Sequence, residues 1–235
     1  VPGHPFEQGF DLKLVPHKLT EPFRWANPKK VFVNSMSDLF HERVPDEYIV
    51  AVCEVMLAAN WHTFQVLTKR PARMTKLLKG KLKEAANATN IIWGVSVENR
   101  KHGLPRIKML RSSGARNTFL SIEPLLEDLG KFDLSGIGWV IVGGESGPRA
   151  RTMEADWVRS IRLQCEIAEV PFFFKQWGGV RKKMTGRTLD GRTYDEFPVV
   201  QISPVPDKTE RLLLLLRMME TFYNHGTFDL VLIPK

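Results

Sequence analysis

Cysteine is scarce in this chain of 235 residues, where Cys53 and Cys165 are the only two. Thiols so far apart in sequence provide neither a disulfide framework nor a zinc-ligand spacing, and both fall in segments that read as helices. They read as buried thiols of a reducing compartment. Long hydrophobic runs are lacking too: no apolar stretch reaches the roughly 18 residues of a membrane-spanning helix, and no signal-peptide pattern opens the chain. A cytoplasmic protein without a membrane partner is expected. Acidic residues are in deficit, 26 Asp and Glu against 34 Lys and Arg, for a net charge of +8. That imbalance suits a nucleotide or nucleic-acid partner, although charge argues about association and not about fold. The first residue is Val1 and not methionine, which reads as a truncated start.

What the chain does contain is a repeated pattern. Six short apolar runs, at 31–33, 64–67, 91–95, 118–120, 139–142 and 172–174, each end in a polar or acidic cluster. A strand buried on both faces reads as a continuous hydrophobic run, and parallel strands need crossovers between them. The spacing therefore predicts an α/β fold, a parallel β/α barrel of TIM-like form, complete or partial. The organisation expected is a lead-in segment over 1–30, a barrel core over 31–198, and a helix-and-strand extension of the same domain over 199–235. In such barrels the C-terminal strand ends carry the active site, so the pattern points to an enzyme.

Crossover helices are expected over 44–59, after Pro71, over 99–111 and over 154–168. The last should bury a stripe of Trp157, Ile161, Cys165 and Ala168. The crossover over 125–138 has room for one helical turn. Residues 178–195, rich in Gly, Arg, Lys and Thr, read as an exposed basic loop with little core. Residues 212–219 read as an apolar helix and 228–233 as a last strand.

Four carboxylates, Asp38, Glu98, Glu123 and Glu145, follow four different strands and would face one cavity. Close carboxylates cannot all ionise without a compensating charge, which a divalent cation, a bound amine, or Lys69 and Lys175 can supply. Gly143-Gly144-Glu145-Ser146-Gly147 follows a buried strand, where glycines permit close backbone approach or amide donation to a carboxylate or phosphate. A tight structural turn is the plainer alternative. Lys69 and Arg70, with Lys175 and Gln176, can bind an anion or a base edge, although Arg70 before Pro71 also reads as surface charge. His41 is a candidate acid or base, or a cap, and Trp177 offers a stacking face or core packing. The same acids can instead hold a divalent metal for phosphoester hydrolysis, with His41 or a lysine assisting. The basic segment 181–192 can make the chain a non-catalytic nucleic-acid-binding module.

Several strings, taken together over roughly residues 5–198, carry a family resemblance. They are Val31-Phe32-Val33-Asn34-Ser35-Met36-Ser37-Asp38-Leu39-Phe40-His41, Leu67-Thr68-Lys69-Arg70-Pro71, Gly94-Val95-Ser96-Val97-Glu98-Asn99, and Leu120-Ser121-Ile122-Glu123-Pro124-Leu125. Trp139-Val140-Ile141-Val142-Gly143-Gly144-Glu145-Ser146-Gly147 and Phe172-Phe173-Phe174-Lys175-Gln176-Trp177-Gly178-Gly179 complete the set. The chain resembles a phage- and bacterium-associated three-cysteine-motif family that is similar to radical S-adenosylmethionine enzymes of the spore photoproduct lyase type. The resemblance implies S-adenosylmethionine and a 4Fe-4S cluster in the intact family, and a nucleotide or nucleic-acid-linked substrate. It implies catalytic roles for Asp38, Glu98, Glu123 and Lys69, and cofactor binding by Ser37, Asp38, Gly143, Gly144, Glu145 and Lys175. The cysteine triad is absent, so a cluster is not expected in this chain, which is either truncated or a degenerate member.

Overall fold

A computed structural model describes residues 12–34, 37–224 and 226. Six strands, β1 (Lys30–Val33), β2 (Thr63–Thr68), β3 (Ile91–Ser96), β4 (Thr118–Ile122), β5 (Val140–Gly143) and β6 (Phe172–Gln176), form one sheet in chain order. Every neighbouring pair is parallel. The sheet curls into an open half-barrel, so the β/α core takes the partial form. All six apolar runs became strands because β2 through β5 are covered on both faces, leaving almost every residue of those four strands buried.

Crossovers cover the convex face. The first is α1 (Asp46–Ala58), whose opening Asp46 and Glu47 suit the positive end of the helix dipole. The second holds α2 (Pro71–Lys79), begun by a proline whose missing N–H costs nothing at that position, and α3 (Lys83–Asn87). The third holds α4 (Leu104–Arg111). The connection from β4 to β5 contains no helix: Asp128 and Asp133 accept from backbone amides two residues on, making turns, while Leu125, Leu129, Leu134 and Ile137 are buried. Turn chemistry displaced the expected helical turn there. The fifth crossover carries α5 (Ala155–Ile167), whose buried stripe is Val158, Ile161 and Cys165. Ala168 is exposed and Trp157 only half-buried, so the stripe is rotated from the expected one.

Segment 178–195 differs from its expectation as a loop with little core. It contains the single turn α6 (Lys182–Thr185), and it buries Leu189 and Tyr194. Phe173 pairs with Asp195 in an antiparallel bridge, so this segment caps the β6 edge. Helix α7 (Lys208–Asn224) then buries Leu215 and Phe222. The strand expected over 228–233 lies outside the described residues.

The concave face holds a second, smaller apolar cluster of Ile92, Phe119, Trp139 and Ile141, packed against Phe173 and Phe197. Gly94 makes this cluster possible, because a Cβ there would come within 2.2 Å of the Phe119 ring. Alternation along the strands places Ser96 and Ser121 on the same face, nearer the C-terminal strand ends.

Candidate functional site

Each strand end carries a charged group, and the structure pairs these groups across strands. Lys69 Nζ, one residue past β2, lies 2.5 Å from Glu98 Oε1, two residues past β3. Arg106, in the first turn of α4, holds Glu98 Oε2 at 2.6 Å and the carbonyl of Ser96 at 2.7 Å. Burial pushes the Glu98 carboxyl up, but the hydrogen bonds from Lys69 and Arg106 outweigh it, and the net shift is downward. Past β4, Glu123 accepts from Lys175 Nζ at 2.9 Å and faces the Gln176 amide at 3.4 Å. The Glu123-Pro124 peptide bond is cis. Gly143 leaves Glu123 its space: a Cβ at Gly143 would stand 3.2 Å from that carboxyl carbon. Backbone stitches hold these loops in register, with Leu126 N donating to Glu98 O and Leu125 N to Gly143 O.

Asp38 stands apart from this row. Its Oδ1 accepts from Phe40 N and from the Thr68 hydroxyl, its Oδ2 from Lys69 N and from Arg70. Four donors fill the approximately four lone-pair directions of a carboxylate, so Asp38 ties the loop after β1 to the end of β2. Arg70 is correspondingly no free surface charge: it also reaches Glu42 at 3.0 Å. His41 accepts from Arg43 N and contacts Glu42 at the rim.

Glu145 is held by Arg151, which reaches both carboxylate oxygens at 2.7 Å. The Arg151 side-chain hydrogen bonds, helped by its backbone N–H, bring this exposed carboxyl down to about 2. The glycines beside it serve backbone contact between loops. Gly144 N donates to Gln176 O and Gly179 N to Glu145 O. A Cβ at Gly144 would fall 1.9 Å from Trp177 O, and one at Gly178 2.1 Å from Glu145 O. The close approach that the glycine string permits is thus occupied by the Trp177-Gly178-Gly179 turn. Trp177 itself packs edge-on against Phe174 and donates to Thr188 O.

The structure therefore brings Lys69, Glu98, Glu123 and Lys175 into two ion pairs at one end of the concave face, with Ser37 and Asp38 at the neighbouring rim. It does not gather the four carboxylates around one point. Among the described residues, no three His, Cys, Asp or Glu side chains form a metal-holding group. A cavity of about 910 Å³ opens beside β1, and Ser37, Asp38, Lys69, Arg70 and Ser96 stand at its polar end. Sequence reasoning missed Arg106 and Arg151. Arg106 lies on α4, eight residues beyond Glu98, and Arg151 lies in the same loop as Glu145, six residues on, with no motif marking either.

The two cysteines lie in α1 and α5, buried and without a disulfide. Burial pushes the Cys165 thiol up to about 12 and raises Cys53 as well. Two protonated thiols on separate helices do not fit a 4Fe-4S cluster, which takes several thiolates from one locality.

Fold and site define a parallel half-barrel protein with charge-paired strand ends. The chain belongs to a family whose model is described as a protein of unknown function (DUF5131), which matches residues 3–198. No curated protein and no solved structure matches the chain. Among the described residues, no helix is long and apolar enough to cross a membrane.

Proposed function

We propose that this chain is the core of a radical S-adenosylmethionine-like, TIM-related enzyme acting on a nucleotide or nucleic-acid-linked substrate, with the nucleotide cofactor at the C-terminal strand ends. The observation that carries the reading is the arrangement of the two ion pairs. In each, the lysine is half exposed, with side-chain exposures of 54% for Lys69 and 51% for Lys175, while the carboxylate keeps a second donor. Lys69 can turn to a ligand carboxylate or phosphate and leave Glu98 with Arg106. Lys175 can do the same and leave Glu123 facing the Gln176 amide. The polar row thus offers two cations to an anionic ligand without stranding a buried charge.

Lys69 and Lys175 would take the anionic groups, Glu98 and Glu123 would accept from ribose hydroxyls or an amine, and Ser37 would donate at the rim. Asp38 positions Lys69 and Arg70. Gly143 keeps the Glu123 pocket open, while Gly144 and Glu145 hold the neighbouring loop. S-adenosylmethionine supplies a sulfonium that can be cleaved when an iron–sulfur cluster delivers an electron. That chemistry is not assigned to these residues, whose two buried thiols do not suit a cluster.

Isothermal titration of the full chain with S-adenosylmethionine tests the binding step. Saturable binding is expected, weakened about tenfold by Lys69→Ala or Lys175→Ala, as befits one charge-assisted hydrogen bond. Absence of heat up to millimolar ligand, or identical affinity in both variants, sinks the reading.

A further inference from the structure

The concave face carries its side chains in three layers. Leu67, Gly94 and Phe119 are register partners on neighbouring strands and form an apolar floor, where the Phe119 ring covers Gly94. One step toward the C-terminal strand ends, Ser96, Ser121, Ile141 and Phe173 form the next row, again as register partners from β3 to β6. Period-two alternation then puts Lys69, Glu98, Glu123 and Lys175 above them, where the two ion pairs lie. The middle row is therefore two hydroxyls followed by two apolar side chains, beneath a charged rim.

Ser96 and Ser121 are 2% and 3% exposed, yet neither hydroxyl has a hydrogen-bond partner among the described residues. Their backbone groups do bond: the Ser96 carbonyl accepts from Arg106 and the Ser121 carbonyl from Val97 N. Neither hydroxyl is sealed from solvent, so both open onto the recess below the rim. A buried hydroxyl without a partner is costly until water or a ligand satisfies it, and two of them side by side mark a polar point that the protein itself does not use. Both stand on interior strands, so the pair owes nothing to either edge of the sheet.

Neighbouring strands stand about 4.8 Å apart, so the two hydroxyls can reach one molecule. That molecule must pair with both of them, bury an apolar body against Leu67, Ile141 and Phe173, and carry an anionic group up to Lys69 or Lys175. An aliphatic chain leaves the serines unpaired, and a sugar sets its own hydroxyls against apolar walls. A planar heterocycle does neither, since its edge is polar and its faces are apolar. We infer that this recess is the nucleobase subsite of the substrate, with Ser96 and Ser121 on the base edge and the attached phosphate at the rim. The inference rests on the proposed reading that the row binds a nucleotide, and it adds where the substrate base lies. A hydroxyl rotates to donate or to accept, so the subsite takes any of the common bases and rejects ligands that have none.

Calorimetric titration of the full chain with the common nucleoside 5′-monophosphates and with ribose 5-phosphate tests the inference. The nucleotides should bind within about tenfold of one another, and ribose 5-phosphate at least about tenfold more weakly, for want of two hydrogen bonds and the buried ring faces. Ser96→Ala and Ser121→Ala combined should weaken the nucleotides at least about tenfold, and leave ribose 5-phosphate and S-adenosylmethionine unchanged. Because the hydroxyls have no protein partner, the urea midpoint of that double variant should be equal or higher, whereas a structural role would lower it. Equal affinity for ribose 5-phosphate and the nucleotides, full nucleotide binding by the double variant, or a lowered urea midpoint overturns the inference. So does a matching fall in S-adenosylmethionine affinity, which makes the cofactor's adenine the occupant. Wild-type protein that binds S-adenosylmethionine but no nucleotide sinks this subsite alone; binding of nucleotides without S-adenosylmethionine sinks the cofactor reading alone; silence toward all of them sinks both.

Discussion

Lys69 and Arg106 hold opposite oxygens of one buried carboxylate, Glu98, at 2.5 and 2.6 Å. The two cations are not equivalent, because the Lys69 side chain is 54% exposed and that of Arg106 17%. Removing the carboxylate strands a largely buried guanidinium; removing the lysine strands nothing. Glu98→Ala should therefore cost about 3 kcal/mol, the low end of the cost of breaking a buried pair, and Lys69→Ala less than about 1 kcal/mol. Urea denaturation of the two variants checks this, and equal losses would contradict it. The downward shift of Glu98 also sets a sign. Its folded value lies below its unfolded one, so its stabilisation is complete above the usual glutamate range and disappears as pH falls through the lowered value. Glu98→Gln should flatten that part of the acid limb.

His62 gives a second pH dependence at a different place. It accepts from Lys29 N through Nδ1 at 3.1 Å, and its Nε2 lies 3.0 Å from Pro22 O, so the neutral ring satisfies both groups and ties the lead-in segment to the start of β2. Burial lowers its value, and the nearby Lys29 and Arg211 charges add to that against the opposing Pro22 contact. The folded protein thus binds a proton less readily than the unfolded chain. Stability should be full above the ordinary histidine value of about 6.5 and should fall as pH drops below it. His62→Phe should remove this slope and cost about 1–3 kcal/mol at neutral pH by orphaning the two backbone groups. Thermal melts at several pH values, for both proteins, would reveal the lost slope.

On the concave face, Gly94 and Phe119 occupy complementary volumes. A methyl group at Gly94 would meet three carbons of the Phe119 ring at 2.2–2.5 Å. The ring is fully buried and packs against Trp139, so it has no free direction in which to yield. Gly94→Ala should destabilise by about 1–3 kcal/mol, the range for overpacking. Adding Phe119→Leu should recover part of the loss. A double-mutant cycle in denaturant measures that coupling, and strict additivity would refute the packing account.

The strands were legible because continuous apolar runs bounded by polar clusters have few other readings at such short lengths, and the run at 91–95 is buried throughout. The helix-free connection through Asp128 and Asp133 was not, since its turns depend on side chains accepting from backbone two residues on. The site was legible as positions but not as partners. Glu98 and Lys69 stand at strand ends that the sequence marks, whereas pairing them requires knowing that β2 and β3 are neighbours. Arg106 and Arg151 carry no sequence mark at all, because an arginine in a helix turn or a loop looks the same whether it holds a buried carboxylate or meets solvent. The glycine string marks a close backbone approach, which Gly144 makes, but nothing in it marks that the approaching backbone is that of Trp177, some thirty positions away.

Gly144 allows that approach to be measured. Its missing side chain lets Trp177 O approach to within 1.9 Å of where a Cβ would lie, and Gly144 N donates to Gln176 O at 2.9 Å. The obstacle is backbone, which cannot rotate away as a side-chain tip can. Gly144→Ala should force the two loops apart and cost more than about 2 kcal/mol, combining a lost ladder bond with displaced packing. Gly114 provides the contrast: it has a φ of +78° and nothing within 4 Å of where a methyl group would lie. Gly114→Ala should cost only the left-handed backbone penalty, about 1–2 kcal/mol. Lys175 and Gln176 lie on the strand that Gly144 contacts, so Gly144→Ala should also loosen the Glu123–Lys175 pair, 2.9 Å apart in the intact protein. Hydrogen exchange of the Gln176 and Gly179 amides should then accelerate in Gly144→Ala and stay unchanged in Gly114→Ala. Unchanged exchange in both would mean that the loops are held by something other than their close backbone contact.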